Sequence, residues 1–251
     1  MSTMKQRIVI ISATSLIAEH CARLWVTQAA SDMVLVGRDA ARMEQIATDL
    51  KVRSPGSQIR CLQADFIAAD KIAELVASIV NGGAVDIVLI AHGSLPDQQL
   101  CQQDLTLCQE TLLINGLSPV LFAEAFATSM QKANRGTLAI IGSVAGDRGR
   151  KSNYIYGAAK GMVSRYVQGM QHRFANTGVK VVLIKPGPTD TPMTSHLKQQ
   201  GAKLASADQV ASHIVNGILR GQSTIYAPPI WRLIMMVIQH LPAFIFNRLN
   251  I

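Results

Sequence analysis

Short runs of apolar, mostly β-branched residues recur along the chain, and longer amphipathic segments separate them. Continuous apolar runs are typical of parallel strands that are covered on both faces, whereas apolar spacings of three and four residues are typical of helices. Strands are predicted at residues 7–11, 33–36, 59–63, 85–91, 137–141, 179–184 and 224–227. Helices are predicted at residues 17–29, 40–53, 67–80, 105–130, 155–174 and 207–220.

This alternation of strand and helix predicts an α/β protein. Each strand–helix–strand step is right-handed by default, which stacks helices on both faces of one sheet. We therefore expect a single doubly wound domain of the Rossmann type over residues 1–251, with a mostly parallel sheet of seven strands and an apolar C-terminal helical tail at residues 228–251. In such a sheet ligands bind beyond the carboxyl ends of the strands, so polar residues that follow a strand are the candidates for function.

The composition favours a folded protein with an anionic partner. Hydrophobic residues make up 49% of the chain and charged residues only 16%, which argues against disorder. The 24 basic side chains outnumber the 16 acidic ones, which suggests an anionic ligand or an anionic membrane surface, or serves solubility alone. The basic residues form no run, so nucleic acid is not an expected partner.

Two features bear on the cellular compartment. The four cysteines form neither a C-x-x-C pair nor a cluster with histidine, so we expect free thiols in the cytoplasm and no metal site. Lys5 and Arg7 precede an apolar stretch at 8–18, an arrangement that resembles the start of a signal peptide. Hydroxyl residues interrupt this stretch and a helical pattern continues beyond it, so a first strand and helix are the better interpretation.

Tyr156 and Lys160 stand four residues apart in the predicted helix 155–174. This spacing puts a phenol and an ammonium group on the same helix face. A free phenol has a pKa near 10, roughly three units too high for easy proton exchange at neutral pH, and a close cation lowers it. Because ordinary amphipathic helices contain the same spacing, the pair alone does not establish a catalytic site.

Two further polar residues give this pair a context. Ser143 follows the predicted strand 137–141, which places its hydroxyl at a carboxyl end of the sheet. Asn115 lies within the apolar helix 105–130, where a buried amide is costly unless it is hydrogen-bonded. In this order and on these elements, the four residues resemble the catalytic tetrad of the short-chain dehydrogenase/reductase family. The resemblance covers nearly the whole chain.

The resemblance implies a role for each member of the tetrad. Tyr156 gives its proton to the carbonyl oxygen of the substrate while hydride arrives from a nicotinamide cofactor. Lys160 lowers the pKa of Tyr156 and holds the nicotinamide ribose. Ser143 hydrogen-bonds the carbonyl oxygen, where negative charge develops, and Asn115 holds a water that connects Lys160 to solvent.

The residues after the predicted strand 179–184 resemble the family segment that lies beside the nicotinamide carboxamide. Pro186 and Gly187 match its P-G pair, and Thr189 or Thr191 would contact the carboxamide or a phosphate. A proline-stiffened turn without a ligand explains the same residues equally well.

The cofactor loop departs from the family pattern T-G-x-x-x-G-x-G. Ser12, Leu16 and Ala18 replace three glycines that normally permit a tight turn and close approach of the backbone to pyrophosphate. Taken alone, this segment argues against dinucleotide binding. The strand-to-helix geometry still offers amides and hydroxyl groups to a phosphate. The residues expected to bind the cofactor here are Ser12, Thr14, Ser15 and Ile17. A second departure is His92, which stands in the family's N-N-A-G segment and is interpreted as a loop residue rather than a catalyst.

Cofactor choice is indicated where the predicted second strand ends. Family members that use NAD typically carry an acidic residue here, but this chain has Gly37 followed by Arg38. A guanidinium suits the 2′-phosphate of NADP, so the resemblance implies NADP(H), although Arg38 would also suit a surface ion pair with Asp39. Further contacts with the cofactor are expected at Asp65, Phe66, Ala91, Gly93, Tyr156, Lys160, Pro186, Gly187, Thr189 and Thr191.

The apolar tail at 228–251 is interrupted by polar residues and by Pro242. It is too broken to span a bilayer, and two short apolar helices bent at Pro242 are expected. Such helices suit a membrane interface, a cover over an apolar substrate, or a contact between subunits. Together with residues 152–157 and the atypical cofactor loop, the tail resembles a branch of the family that reduces a keto-sugar carried on a polyprenyl phosphate.

The sequence therefore predicts a cytoplasmic NADP(H)-dependent oxidoreductase that reduces a ketone to an alcohol. Its substrate is expected to be a small-molecule or lipid-linked carbonyl compound, the narrower interpretation being a keto-sugar on a polyprenyl phosphate or a related glycolipid. A soluble reductase of small ketones or acyl substrates, and a non-catalytic NADP-binding regulator, are the alternatives. We expect a homodimer or homotetramer, with peripheral contact between the tail and the inner face of the cell membrane.

Overall fold

The computed structural model of the protein describes residues 5–199 and 201–249. In chain order its elements are β1 (Gln6–Ile11), α1 (Leu16–Gln28), β2 (Ser31–Gly37), α2 (Ala40–Arg53), β3 (Gln58–Gln63), α3 (Ala69–Val80), β4 (Ile87–Ile90), α4 (Gln98–Gln103), α5 (Leu105–Leu112), α6 (Ser118–Ala133), β5 (Gly136–Ile141), α7 (Tyr154–Arg173), β6 (Val179–Pro186), β7 (Thr189–Asp190), α8 (Ser195–Gln199), β8 (Ala205–Ser206), α9 (Ala207–Leu219), β9 (Thr224–Ala227), α10 (Ile230–His240) and α11 (Ala243–Phe246).

Seven of the strands form one sheet in the order β3-β2-β1-β4-β5-β6-β9, and every neighbouring pair is parallel. The predicted doubly wound fold with a seven-stranded sheet is therefore confirmed. The order reverses between β1 and β4, and a crevice at such a reversal is the usual ligand site of this architecture. The short strands β7 and β8, which were not predicted, pair beside this edge of the sheet.

The sheet is covered on both faces, as its continuous apolar strands predict. In β1, Ile8 and Ile10 belong to one buried cluster, which also holds side chains of α1, α2 and α9. Val9 and Ile11 belong to a second cluster on the opposite face, with side chains of α3, α6 and α7. Each such fully buried side chain stabilises the fold by roughly 1.5–3 kcal/mol, so both layers hold the sheet in place.

Several predicted bounds need correction. The predicted helix 105–130 is α5 and α6 joined by one turn of π-helix at Leu113–Leu117. Helix α3 begins two residues later than predicted, because Asp65 Oδ1 accepts hydrogen bonds from the amides of Ile67 and Ala68 and forms a turn there. Helices α4 and α8 have only six and five residues, too few to show an amphipathic period.

The segment Leu105–Ala133 is the one helical stretch in the described ranges that is long and apolar enough to cross a membrane, and half of its apolar 18-residue window is buried in the protein. The apolar stretch near the N-terminus forms β1 and α1, as predicted. Arg7 lies in β1 and donates to the carbonyls of Ile79 and Gly83, which ties the strand to the end of α3.

The tail forms two helices, α10 and α11, with the bend at Pro242 that the sequence predicts. Arg148, in the connection between β5 and α7, fastens the tail to the sheet. Its Nη1 donates to the carbonyls of Gln239 at 3.3 Å and Leu241 at 2.6 Å, and its guanidinium lies 3.8 Å from the ring centroid of Phe246. The tail therefore lies against the loop that carries Ser143.

Candidate active site

A cavity of about 490 Å³ lies at the carboxyl ends of β1, β4, β5 and β6. The predicted site residues that line it are Ser12, Thr14, Ser15, Ile17, Arg38, Ala91, Gly93, Ser143, Tyr156, Lys160, Pro186, Gly187, Thr189 and Thr191. Asn115, Asp65 and Phe66 do not line it. Within residues 5–199 and 201–249, no group of three His, Cys, Asp or Glu side chains is arranged to hold a metal ion.

Ser143 and Tyr156 are held together by the packing of the loop after β5 against α7. The hydroxyl of Ser143 accepts a hydrogen bond from the amide of Ala145 at 3.1 Å. A Cβ atom at Gly146 would lie 2.6 Å from the carbonyl carbon of Lys160, so only glycine permits this approach to the helix. At the start of α7, the amide of Ile155 donates to Gln98 Oε1 at 3.1 Å. These contacts fix the position of Tyr156 relative to Ser143.

Lys160 is buried one helical turn after Tyr156. Its Nζ donates to the carbonyl of Ile141 at 3.0 Å and lies 5.9 Å from the ring centroid of Tyr156. Burial penalises the charged form and lowers the pKa of Lys160 to about 8. The amine is therefore charged at neutral pH and loses its proton in mildly alkaline solution.

The structure corrects the expected pKa of Tyr156. Burial raises the pKa of its phenol above the ordinary value, and the hydrogen bond with the Ser143 side chain opposes that rise. Lys160, whose Nζ lies 5.9 Å from the ring centroid, does not outweigh the effect of burial on the pKa of Tyr156. At neutral pH Tyr156 is consequently protonated, which is the form that an acid catalyst needs.

Asn115 is fully buried in the π-helical turn rather than exposed in the cavity. Its Oδ1 accepts from the amide of Ser94 at 2.9 Å, and its Nδ2 donates to the carbonyl of Thr111 at 2.9 Å. The amide is therefore hydrogen-bonded, as its burial requires. Its contact with Ser94 ties the loop after β4 to the helix behind Lys160.

The cofactor loop forms a tight turn although the three glycines of the family pattern are absent. Ser12 replaces the first glycine and has φ of 66°, the left-handed region that normally favours glycine. The turn closes with a hydrogen bond from the amide of Ser15 to the carbonyl of Ser12 at 3.0 Å. Ala18 is buried against the core, and Leu16 lines the cavity at the first turn of α1. The replacements therefore preserve the turn, and Leu16 occupies space that a glycine would leave free.

Two arginines stand where β2 and α2 meet the cavity. Arg38 is exposed, and its side chain has no hydrogen bond or salt bridge in the described part of the chain. Arg42 is held by a salt bridge of 2.8 Å to Glu19, a buried carboxylate that also binds Arg23. Asp65 lies in a shallow depression beside Arg38, outside the main cavity. Arg38 is thus the cation at this end that is free to bind an anion.

The segment after β6 forms a compact turn and also lines the cavity. The Thr189 hydroxyl donates to the carbonyl of Gly187 at 2.9 Å, and the Thr191 amide donates to Thr194 Oγ1 at 3.2 Å. The segment is therefore a compact turn, and a contact between its threonines and a cofactor stays a prediction. A Cβ atom at Gly187 would lie 2.0 Å from Nε1 of Trp231, so the first turn of α10 packs directly on this turn.

A buried ion pair joins the two loops that flank the cavity. Lys185, at the end of β6, forms a salt bridge with Asp147 of the loop after β5, and both side chains are almost fully buried. The hydroxyl of Tyr226 donates to the other oxygen of Asp147 at 3.1 Å. Both carboxylate oxygens of Asp147 are therefore occupied.

His92 is a buried residue in the lining of the cavity, and Phe66 packs against its ring from the core. Since the single proton of the Ser118 hydroxyl goes to the carbonyl of Phe66, His92 Nε2 donates to Ser118 Oγ at 2.8 Å. Burial lowers the pKa of His92 to about 3, so the ring is neutral near physiological pH and keeps only the proton on Nε2. The Phe66 ring packs edge-on against Phe122 at 5.6 Å rather than lining the cavity.

Sequence reasoning missed five polar residues that line the cavity, one of which, Thr194, lies in the turn after β7. Glu19 and Arg42 lie on helices, where the sequence gives no sign that they face the same side. Arg150 and Asn153 lie in the irregular connection between β5 and α7, which has no periodicity. For Arg150 and Asn153, the one indication in the sequence was that they lie between Ser143 and Tyr156.

Comparison with known proteins agrees with this geometry. The family model described as short chain dehydrogenase matches residues 6–202. A protein of Streptomyces coelicolor, named as an uncharacterised oxidoreductase, is 28% identical over 246 residues that cover 96% of this chain and 95% of the relative.

Two solved structures share the fold. A bulky-bulky ketone specific alcohol dehydrogenase from Comamonas testosteroni superposes with a TM-score of 0.81 at 21% identity, over 99% of this chain and 96% of that one. A short chain dehydrogenase from Burkholderia cenocepacia, in complex with NADP, superposes with a TM-score of 0.83 at 14% identity, over 98% of both chains. Since the family model covers most of the sequence, the chain belongs to the short-chain dehydrogenase family, which confirms the predicted oxidoreductase with a nicotinamide cofactor.

Proposed function

We propose that the protein is a cytoplasmic NADPH-dependent reductase that converts a ketone to a secondary alcohol. The observation that carries the proposal is the convergence of Ser143, Tyr156 and Lys160 at the carboxyl end of β5. These groups can protonate and polarise a carbonyl oxygen, and the same cavity extends to Arg38 at the end of β2.

The residues of the cofactor loop fit a dinucleotide despite the missing glycines. Ser12 keeps the left-handed turn, and α1 presents its N-terminal amides to the cavity beside Thr14 and Ser15. Arg38, which has no partner in the described ranges, suits the 2′-phosphate that distinguishes NADP from NAD. The NADP complex of the Burkholderia relative supports this choice. Bound NADPH supplies the hydride.

At the end of the cavity near β5 and α7, the protein side chains supply the proton. Tyr156 is protonated at neutral pH and gives its phenolic proton to the carbonyl oxygen of the substrate. The Ser143 hydroxyl donates a hydrogen bond to the same oxygen, where negative charge develops. The ammonium group of Lys160 stabilises the phenolate that remains, and Asn115 holds the loop after β4 against the helix behind it.

The first experiment mixes the purified protein with NADPH and measures the change in cofactor fluorescence. We expect saturable binding, and oxidation of NADPH on addition of ketones of increasing bulk. Binding without turnover on any ketone would favour the non-catalytic regulator. Absence of binding would show that Leu16 and the other replacements in the loop have removed the cofactor site.

The exposed apolar residues of the tail favour a substrate that is bulky and partly apolar. Trp231 and Met235 pack inward, whereas Leu233 and Phe244 are 55% and 68% exposed. The start of α10, at Trp231, packs on the turn at Gly187 that lines the cavity, so the tail begins beside the cavity. We propose that it contacts the apolar part of a lipid-linked substrate and the membrane that carries it. The narrower substrate is then the keto-sugar reduced by decaprenylphosphoryl-2-keto-β-D-erythro-pentose reductase, or a related glycolipid.

Substitution of exposed tail residues tests this part of the proposal. Leu233→Ser with Phe244→Ser should leave the reduction of a short ketone unchanged and lower activity on a long-chain ketone and binding to anionic vesicles. Val52→Ser is the matched control, because Val52 is 76% exposed on α2 and does not line the cavity. Loss of a dimer or tetramer in sedimentation, without a chain-length effect, would make the tail a subunit contact instead.

A further inference from the structure

Arg150 is a cavity-lining arginine without a partner. Its guanidinium forms no hydrogen bond or salt bridge within residues 5–199 and 201–249, and its Nε is buried and unsatisfied. Arg150 is half-buried, and a buried donor such as its Nε costs free energy when it binds nothing. The fold therefore carries an unfavourable group at this position.

Neighbouring groups do not neutralise Arg150. The charge of Asp147 acts on Arg150, but the carboxylate oxygens accept hydrogen bonds from Lys185 and Tyr226 rather than from Arg150. Burial lowers the pKa of Arg150, and the charge of Asp147 only partly opposes this effect. Two other cations that line the cavity do have partners within the protein. Arg42 forms a salt bridge with Glu19, and Lys160 donates to a backbone carbonyl.

The position of Arg150 assigns it to the substrate end. It lies in the connection between Ser143 and Tyr156, the two groups proposed to act on the carbonyl oxygen. Arg38 follows β2, which is three strands away from β5 in the sheet, or roughly 14 Å at the usual strand spacing. The two unpaired arginines therefore serve different parts of the cavity.

Asn153 adds a second unsatisfied polar group at the same place. Its side-chain Oδ1 is buried, lines the cavity with Arg150 and has no hydrogen-bond partner in the described part of the chain. The guanidinium of Arg150 suits an oxyanion, and the nearby amide oxygen of Asn153 suits a hydroxyl group beside that oxyanion.

We propose that Arg150 binds an anionic group, a carboxylate or a phosphate, on the carbonyl substrate, and that Asn153 binds an adjacent hydroxyl. The inference rests on the proposed function, because it names the substrate class of the same site. A planar guanidinium binds both kinds of oxyanion through two parallel hydrogen bonds, whereas a lysine at this position would offer only a point charge.

The test uses two matched pairs of probes on the full-length protein saturated with NADP⁺. One pair is 4-oxocyclohexanecarboxylate and its methyl ester, and the other is dihydroxyacetone phosphate and dihydroxyacetone. Calorimetry should show tighter binding of at least one anion than of its neutral partner, and the stronger of the two anions identifies carboxylate or phosphate. Arg150→Gln should weaken that anion roughly 10- to 150-fold, the range of charged hydrogen bonds, and leave the neutral probes unchanged.

Two further variants separate recognition from structure. Lys151→Gln removes an equal charge from an exposed neighbour that does not line the cavity, and it should have no effect. Arg150→Lys should recover only part of the affinity. Equal weakening of neutral and anionic probes, a weaker binding of NADPH by Arg150→Gln, or no preference for either anion in the wild type would overturn the inference. NADPH binding by the wild type is measured separately. A wild type that binds no NADPH contradicts the proposed function, whereas the outcomes above contradict only the role of Arg150.

Discussion

The loop after β1 and the segment after β5 both line the cavity, but they match the family pattern in different ways. After β5, the side chains of Ser143, Tyr156 and Lys160 are all present and face the cavity. After β1, the three expected glycines are absent, yet Ser12 still adopts φ of 66° and the turn still closes. More than one sequence can adopt the same backbone conformation, whereas the chemistry of a phenol or an ammonium group requires that particular side chain at that position.

The catalytic segment should be the more sensitive of the two regions. Tyr156→Phe removes the proposed acid and should lower the rate of ketone reduction by at least about a hundredfold, with NADPH binding nearly intact. The measurement is steady-state turnover together with a fluorescence titration of NADPH. Tyr154→Phe is the matched control, because Tyr154 is exposed and does not line the cavity. A near wild-type rate for Tyr156→Phe would remove this residue from the chemistry.

At the cofactor end, one side chain should matter more than the loop. Arg38→Ala should weaken NADPH binding roughly 10- to 150-fold, since it removes charged hydrogen bonds to the 2′-phosphate, and should leave NADH binding little changed. Fluorescence titrations with both cofactors measure this. Arg53→Ala removes a comparable charge that is paired with Asp49 outside the cavity, and it serves as the control. Equal losses for the two cofactors would show that Arg38 does not distinguish them.

The pKa of Lys160 gives the catalytic segment a pH dependence. The charged amine is the active form, it is mostly protonated below pH 8, and its charge is lost as the pH rises through about 8. The rate of reduction should therefore fall by about tenfold per pH unit above that value. Lys160→Arg should move the fall to higher pH, because a guanidinium keeps its charge. A profile that stays flat up to pH 10 contradicts the role proposed for Lys160.

The smallest effect is expected at Ser12, where only the backbone matters. Ser12→Gly removes a left-handed residue that costs about 1–2 kcal/mol, partly offset by the greater flexibility of glycine when unfolded. The melting temperature should rise by about 2–3 °C, with NADPH binding unchanged. Ser12→Ala keeps the strained conformation without the hydroxyl, so it should not stabilise the protein. A loss of NADPH affinity shared by both variants would show that the hydroxyl itself binds phosphate.

The two regions also differ in how well the sequence predicted them. The four tetrad positions could be proposed because their residue types and order are specific, and the alternation of strands and helices located them. The cofactor loop argued against a dinucleotide, because the sequence does not show that a serine at position 12 adopts the conformation of glycine. The π-helical turn around Asn115 was also invisible, since its apolar spacing is that of a continuous helix.

By itself, the sequence determined the seven-stranded α/β fold and the oxidoreductase family and indicated the candidate residues of the tetrad, because hydrophobic periodicity and residue type are local properties. Only the tertiary structure decided the pKa values of Tyr156 and Lys160, which depend on burial, and the pairing of Lys185 with Asp147. It also brought Arg148 to the end of α10 and left Arg150 unpaired in the cavity. Whether a charged side chain forms a salt bridge depends on contacts between segments far apart in the chain, and local sequence patterns do not predict those contacts.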